Sequence, residues 1–156
     1  MSVFFEFESD FVESLRCIPM QIRLKLDTCG IKLKLPQWNQ FSHSDRALLV
    51  ELPCETATDI QAYRTTLQQL VQERTGSEAS ELPIDPTPAW MNTAAVPASV
   101  QQKAVESETE IAPEQWAMLS PLQRFALIKL SLSGHENKNF GPAMQEFGLI
   151  SQDSTV

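Results

Sequence analysis

Closely paired cysteines, basic residues before Arg16 and long apolar runs are all absent from this sequence of 156 residues. Its three cysteines, Cys17, Cys29 and Cys54, form no C-x-x-C pair, so the disulfide framework of a small secreted domain is excluded. No apolar run approaches the roughly 18 residues that a membrane span requires, and the N-terminus carries acids where a signal peptide carries Lys or Arg. We therefore expect a soluble protein of the cytoplasm.

Basic residues are in the minority, and the net charge of −8 is unevenly spread. Residues 16–34 hold five basic residues against one acid, a local excess of +4, whereas residues 73–114 hold eight acids against two basic residues, a local −6. Because overall acidity repels a phosphate backbone, nucleic-acid binding is disfavoured. The asymmetry favours a protein partner, and no membrane partner is expected.

A catalytic motif is also missing. His43 and His135 have no nearby Ser-Asp or Cys-Asn constellation that would suggest nucleophilic catalysis. The intervals of 12 and 25 residues between the cysteines match no close-paired spacing of metal ligands, so the thiols are interpreted as small buried hydrophobic groups. We expect no catalytic, cofactor-binding or metal-binding residues, although a thiol- or metal-dependent protein using Cys17, Cys29 and Cys54 stays open as an alternative.

What the sequence does contain is an internal repeat. Residues 18–52 align without a gap onto residues 96–130, always 78 positions apart, with eight identities in 35 positions where ordinary composition would give about two. This pattern predicts two copies of one supersecondary unit, packed face to face because neither can bury its apolar side alone. The identical pairs are Pro19/Pro97, Lys25/Lys103, Gln37/Gln115, Trp38/Trp116, Ser42/Ser120, Arg46/Arg124, Leu49/Leu127 and Leu52/Leu130.

The repeat predicts one helical domain over residues 1–150, made of repeats 18–76 and 96–148 and followed by a tail at 149–156. A proline-rich connector, residues 77–95, joins the repeats and cannot continue a helix. Trp90 and Met91 are unexpected in a pure linker. Two interpretations remain open: they pack back onto the core, or they anchor a partner.

The segment after Pro19 can be interpreted in two ways. Pro19 in a first turn and Gly30 at the end are typical of a helix, whereas the alternation of IRLKL and IKLKL is typical of a hairpin. The matching stretch PASVQQKAVESE has no alternation, so helix is favoured in both copies. Residues 3–8 (VFFEFE) alternate in polarity and could form a short strand or extended arm.

Capping signals mark the later helices. Ser42 and Ser120 each precede a helical apolar pattern, with Asp45 or Gln123 at the third position to complete a capping box. Further helices are predicted from Thr56 or Thr58 to Gly76 and from Asn139 to Gly148. The predicted fold class is therefore all-α, a pseudo-two-fold duplicated helical unit.

Each copy of the repeat has a Trp and an Arg at the same positions. Trp38 and Trp116 lie four residues before the capping serines, and Arg46 and Arg124 lie four residues after them. A Trp or Arg of this kind could grip a ligand, but residues kept in both copies are more simply structural. We expect the rings in the core and the guanidinium groups on carbonyls or aromatic faces.

Long segments of the chain resemble a known family. FFEFESDFVESLRCIPMQIRLKLDTCGIKLKLPQWNQF and QRFALIKLSLSGHENKNF are similar to the nitrate reductase associated proteins, small cyanobacterial proteins linked to assimilatory nitrate reductase. The resemblance spans residues 4 to about 148. It implies an accessory role in producing active nitrate reductase, which carries a molybdenum cofactor and an iron-sulfur cluster, and does not imply that this chain reduces nitrate.

The resemblance yields a first hypothesis and an alternative. The first is a maturation factor, a chaperone-like protein that binds the apo-reductase during cofactor insertion and itself needs no cofactor. The alternative is a stable structural or electron-transfer-adaptor subunit of the reductase. The preferred docking surface is the basic stretch 16–34, although the same residues could form an ordinary solvated charge face. Its expected contacts are Arg16, Arg23, Lys32 and Lys34.

Overall fold

The computed structural model describes residues 5, 7, 18–132 and 139–150. Described helices far outweigh the single two-stranded ribbon, so the all-α prediction is confirmed. The described residues form two compact units, the first comprising 18–86 and the second comprising 87–132 and 139–150 together with Phe5 and Phe7. No helix in the described ranges combines the length and apolarity needed to cross a lipid bilayer.

The first unit contains four helices and a short ribbon. The helices are α1 (Met20–Cys29), α2 (Leu35–Asn39), α3 (His43–Glu51) and α4 (Ala57–Thr75), and strands β1 (Ile31–Lys32) and β2 (Ser80–Glu81) pair antiparallel. Helix α4 packs against α1, α2 and α3. The buried apolar residues form one cluster, which comprises Ile22, Leu26, Cys29, Ile31, Leu33, Trp38, Phe41, Leu49, Val50, Tyr63, Leu67, Leu70, Val71 and Ala79.

The predicted helix after Pro19 is confirmed, and a strand that was not predicted follows it. Pro19 is the N-cap of α1, and Gly30 ends the helix in the left-handed conformation at φ 79°. Only the first two residues of IKLKL form a strand, with Ile31 paired to Glu81 and Lys32 paired to Ser80, and Leu35 already belongs to α2. The helix favoured from the repeat is therefore correct, and the hairpin alternative is wrong because IRLKL lies within α1.

The capping predictions for the first unit are also confirmed. Ser42 Oγ accepts from the Asp45 amide at 3.0 Å, while Asp45 Oδ2 accepts from the Ser42 amide at 2.9 Å. Thr56 and Asp59 make the same reciprocal pair at the start of α4, which ends at Gly76. These side chains satisfy amide groups that an α-helix leaves without partners at its N-terminus.

The second unit contains a 3₁₀ turn and four helices. The turn covers Ala89–Met91, and the helices are α5 (Ala98–Glu106), α6 (Pro113–Met118), α7 (Pro121–Leu132) and α8 (Phe140–Glu146). Helix α7 packs against the 3₁₀ turn, α5 and α8. It is the buried centre of this unit, because Phe125, Ala126, Leu127 and Leu130 are all inaccessible to solvent.

Three predictions concern the two ends of the chain. The predicted helix after Asn139 is confirmed as α8. Of the predicted extended arm 3–8, only Phe5 and Phe7 lie among the described residues; their rings are 5.3 Å apart and both meet the ring of Phe147. The predicted tail lies outside the described residues from residue 151 onward.

Several elements of the two units begin 78 residues apart. Helices α1, α2 and α3 begin at Met20, Leu35 and His43, and α5, α6 and α7 begin at Ala98, Pro113 and Pro121. The short helices that carry the two Trp residues, α2 and α6, were not predicted, because five or six residues are too few for a helical period to be visible. The pseudo-two-fold duplication itself stays a prediction from the sequence.

Candidate functional site

The basic segment places its predicted contacts in different environments. Lys32 in β1 and Lys34 just before α2 are exposed, because alternate residues of an extended chain point to opposite sides. Arg23 in α1 is half-buried and takes part in interactions with other groups of the protein. Arg16 lies outside the described residues. Lys32 and Lys34 are therefore the exposed cations with which the described part of this surface can meet a partner.

Lys25, the remaining cation of the segment, is turned toward the core. Its Nζ donates to the carbonyls of Val50 and Leu52 at 2.7 Å each and of Leu49 at 3.3 Å. It also lies 5.4 Å from the centroid of the Tyr63 ring, and burial lowers the pKa of its ammonium group. Because the carbonyl end of a helix carries partial negative charge, Lys25 stabilises the end of α3. Its role is structural.

The described thiols are poorly suited to nucleophilic chemistry. Cys29 is buried in the first unit, and burial raises the pKa of its thiol to about 11. Cys54 is half-buried, and burial raises the pKa of its thiol to about 12. Both are protonated near neutral pH, whereas the thiolate is the nucleophilic and metal-binding form. Cys17 lies outside the described residues.

The histidines and acidic residues do not add a metal centre within the described ranges. His43 is exposed in the first turn of α3, and His135 lies outside the described residues. Across the described part of the chain, no three His, Cys, Asp or Glu side chains are grouped so that they could hold a metal ion.

In the first unit, the Trp and Arg of the repeated pair contact each other. The Trp38 ring is buried, and the Arg46 guanidinium lies 5.2 Å from its centroid. One terminal nitrogen, Nη2, donates to the carbonyls of Trp38 and Asn39 at 3.2 and 3.4 Å. Arg46 thereby joins the start of α3 to the end of α2, which favours a packing role over a ligand-binding role.

In the second unit, Arg124 is more deeply buried and has more partners. Only 4% of Arg124 is exposed, and burial lowers its pKa. Nη1 donates to the carbonyl of Leu119 and, at 3.4 Å, to that of Trp116, while Nε donates to the carbonyl of Trp90 at 2.6 Å. The Trp116 indole donates to the carbonyl of Asn92 at 2.9 Å. The connector segment with Trp90 is therefore fixed onto α6 and α7.

A partly buried ion pair joins two helices of the first unit. Arg74 Nε and Nη2 donate to the two carboxylate oxygens of Asp45 at 2.8 and 3.1 Å. The Arg74 guanidinium, helped by hydrogen bonds from Ser42, lowers the pKa of Asp45 to about 2. The sequence predicted Asp45 as part of a helix cap. Its ion-pair partner Arg74 lies 29 positions away, so no local sequence pattern could predict the pair.

A polar groove runs along α4. Its volume is about 510 Å³, and it is open to solvent. Small-molecule sites are mostly enclosed and apolar with a few polar groups, so this groove has little of the character of a substrate pocket. Its lining is rich in glutamine and comprises Gln61, Arg64, Thr65, Gln68, Gln69, Gln72, Glu73 and Glu78.

The comparisons with known proteins point to one family. The model of a family described as conserved nitrate reductase-associated protein matches residues 4–147. No curated protein and no solved structure gives a significant match to the chain.

Proposed function

The chain belongs to the conserved nitrate reductase-associated protein family, and on that premise we propose that it is an accessory maturation factor of nitrate reductase. It binds the apo-reductase and stabilises the form that accepts cofactors, so that active enzyme is produced. Such a factor needs only to bind the cofactor-accepting conformer of the apo-enzyme more tightly than it binds the other conformers. We place this activity in the cytoplasm, in line with the sequence features.

The observation that carries the proposal is the family match together with the exposure of Lys32 and Lys34. Two lysines separated by one residue on extended backbone project to the same side of the chain. Exposed charges of one sign contribute mainly to the association rate and to specificity. Lys32 and Lys34, with Arg16 and Arg23 as further predicted contacts, are therefore proposed to meet an acidic surface of the reductase.

The chemistry of the described side chains supports a binding function over a catalytic one. The thiols of Cys29 and Cys54 are held protonated by burial, and Lys25 is engaged with three carbonyls. A nucleophilic thiol needs an adjacent base or a lowered pKa, whereas burial raises the pKa of both of these thiols. A thiol-dependent activity is therefore disfavoured for the described cysteines.

The test is the affinity of the purified protein for apo-reductase and for mature reductase, measured by calorimetry at two salt concentrations. A maturation factor is expected to bind the apo-enzyme at least about tenfold more tightly, equivalent to about 1.4 kcal/mol. Equal, tight binding to the mature enzyme would instead favour the stable-subunit or electron-transfer-adaptor alternative. No binding to either form would contradict the proposal.

Charge-reversal variants test the surface itself. Lys32→Glu and Lys34→Glu are expected to slow association and weaken binding most at low salt, because screening already removes much of the attraction at high salt. Lys103→Glu is the matched control, since Lys103 makes a surface ion pair with Glu106 in the second unit. Equal effects of all three substitutions would contradict docking through the basic segment.

A further inference from the structure

Two methionines of the second unit are exposed beside a rigid junction. Met118, the last residue of α6, has 87% of its surface exposed, and Met91, the last residue of the 3₁₀ turn, has 57% exposed. Large apolar side chains that remain in water are informative where several lie close together, because such groups mark interaction sites.

Arg124 ties together the backbone segments that precede Met91 and follow Met118. Its Nε holds the carbonyl of Trp90, next to Met91, and its Nη1 holds the carbonyl of Leu119, next to Met118. These two nitrogens belong to one planar guanidinium group, so the two backbone segments lie within a few ångströms of each other.

A second link lies on the other side of Met91. The Trp116 indole donates to the carbonyl of Asn92, so residues on either side of Met91 accept hydrogen bonds from this junction. The backbone is therefore ordered before any partner arrives, while the unbranched Met side chains stay adaptable. An ordered backbone reduces the entropy lost on binding, and adaptable thioether side chains suit a contact surface.

The matching positions of the first unit show whether apolar residues are needed here for folding. The positions that match Ala117 and Met118 in the sequence repeat are Asn39 and Gln40, which are exposed at the end of α2. A short helix carrying Trp and followed by a capping Ser is therefore compatible with polar residues here. The apolar pair in the second unit is not required by this local architecture.

Two exposed acidic residues lie on α6 and just before it. Glu114 lies four positions before Met118 and hence on the same face of α6, and it is exposed. Glu110, also exposed, lies in the segment that leads into this helix. Neither carboxylate forms an ion pair with another residue of the described ranges. An apolar centre with an acidic border is complementary to an apolar segment that carries lysine or arginine.

We propose that Met91, Ala117 and Met118, bordered by Glu110 and Glu114, form a second docking surface, the methionine surface, for an amphipathic, basic-flanked segment of the nitrate reductase. The identity of this partner rests on the proposed function. The methionine surface is chemically opposite to the basic segment of the first unit, since it selects for basic partner residues where Lys32 and Lys34 select for acidic ones.

The test is calorimetric titration of full-length variants with apo-reductase. One variant carries Ala117→Asn and Met118→Gln, the residues that the first unit has at the matching positions, and a second carries Met91→Gln. Val105→Gln on α5, which also replaces an exposed apolar residue of the second unit, is the matched control. We expect the first two variants to bind about tenfold or more weakly and the control to bind like the wild type.

The charge of the partner segment is tested with Glu110→Lys and Glu114→Lys, which should weaken binding most at low salt. Circular dichroism and thermal unfolding should show that every variant folds like the wild type. The methionine surface would be overturned if two variants, Ala117→Asn with Met118→Gln and Met91→Gln, both bind apo-reductase as tightly as the wild type. The proposed function would then remain intact. Absence of binding by the wild type would overturn the proposed function and, with it, this assignment.

Discussion

Lys25 and Lys103 occupy matching positions of the sequence repeat but have different surroundings. Lys25 donates to three carbonyls at the end of α3, whereas Lys103 makes a 3.5 Å surface ion pair with Glu106. Identity in the repeat therefore does not guarantee an identical role. The contacts of each lysine, and not its identity in the repeat, decide its role.

The first prediction compares these two lysines. Lys25→Met removes a charged donor from carbonyls that have little access to water, so the free energy of unfolding should fall by about 1.5–3 kcal/mol. Lys103→Met should change it by less than about 0.5 kcal/mol, as is usual for a surface pair. Urea unfolding at pH 7 measures both values. Equal losses would contradict the structural role given to Lys25.

A second residue-scale prediction concerns acid stability. The pKa of Asp45 is about 2 in the folded protein and about 3.9 in an unfolded chain, so its ion pair stabilises the fold above pH 4. That stability should disappear as the pH falls toward 2. The difference in unfolding free energy between wild type and Asp45→Asn should therefore shrink between pH 4 and pH 2. A difference independent of pH would show that the carboxylate charge is unimportant.

At the scale of elements, the turn between α1 and β1 depends on Gly30. Its φ of 79° is left-handed, and an added Cβ would lie 2.8 Å from Ile84 Cγ1 and 2.9 Å from the Leu82 carbonyl oxygen. Leu82 also donates its amide to the Gly30 carbonyl at 2.8 Å. A side chain at position 30 would therefore push the β2 region away from the helix.

Gly76 supplies the matched control for this prediction. It is also left-handed, at φ 89°, but an added Cβ would meet nothing within 4 Å. Gly76→Ala should cost about 1–2 kcal/mol from backbone strain alone. Gly30→Ala should cost about 1–3 kcal/mol more because of the steric conflict. Thermal unfolding of both variants measures the two losses of stability. Equal losses would show that Ile84 and Leu82 move aside easily when a side chain is added at position 30.

The elements also show what could be predicted from the sequence. Helices α3 and α4 were predictable because Ser42 and Thr56 cap them with reciprocal Asp partners in the next turn. The β1–β2 ribbon was not, since its strands lie about 50 positions apart (Ile31 pairs with Glu81) and each has only two residues. Pairing between distant segments depends on tertiary contacts that no local pattern reports.

The candidate site was predictable to a similar extent. The charge excess of residues 16–34 was visible in the sequence, but the inward turn of Lys25 was not, because its carbonyl partners lie at the end of α3 and just beyond it. Trp90 was correctly marked as unusual for a linker. Its attachment through Arg124 and its 5.0 Å edge contact with Phe125 became visible only in three dimensions.

At the scale of the whole molecule, the chain consists of two helical units with surfaces of different chemistry. The described residues of the first unit include the exposed lysines of β1 and its neighbouring segment, and those of the second include the exposed Met91 and Met118 and the exposed acids Glu110 and Glu114. Under the proposed maturation role, its effect on nitrate reductase should be exerted during production of the enzyme. This expectation separates a maturation factor from a working subunit.

The most direct measurement is to produce nitrate reductase with and without this protein, remove the protein from the purified enzyme, and assay nitrate reduction together with molybdenum, iron and pterin content. If the protein is a maturation factor, activity and cofactor content depend on it during production and persist after its removal. Full activity and cofactor content in enzyme produced without it would contradict this role, as would activity that disappears on removal while the cofactors stay bound.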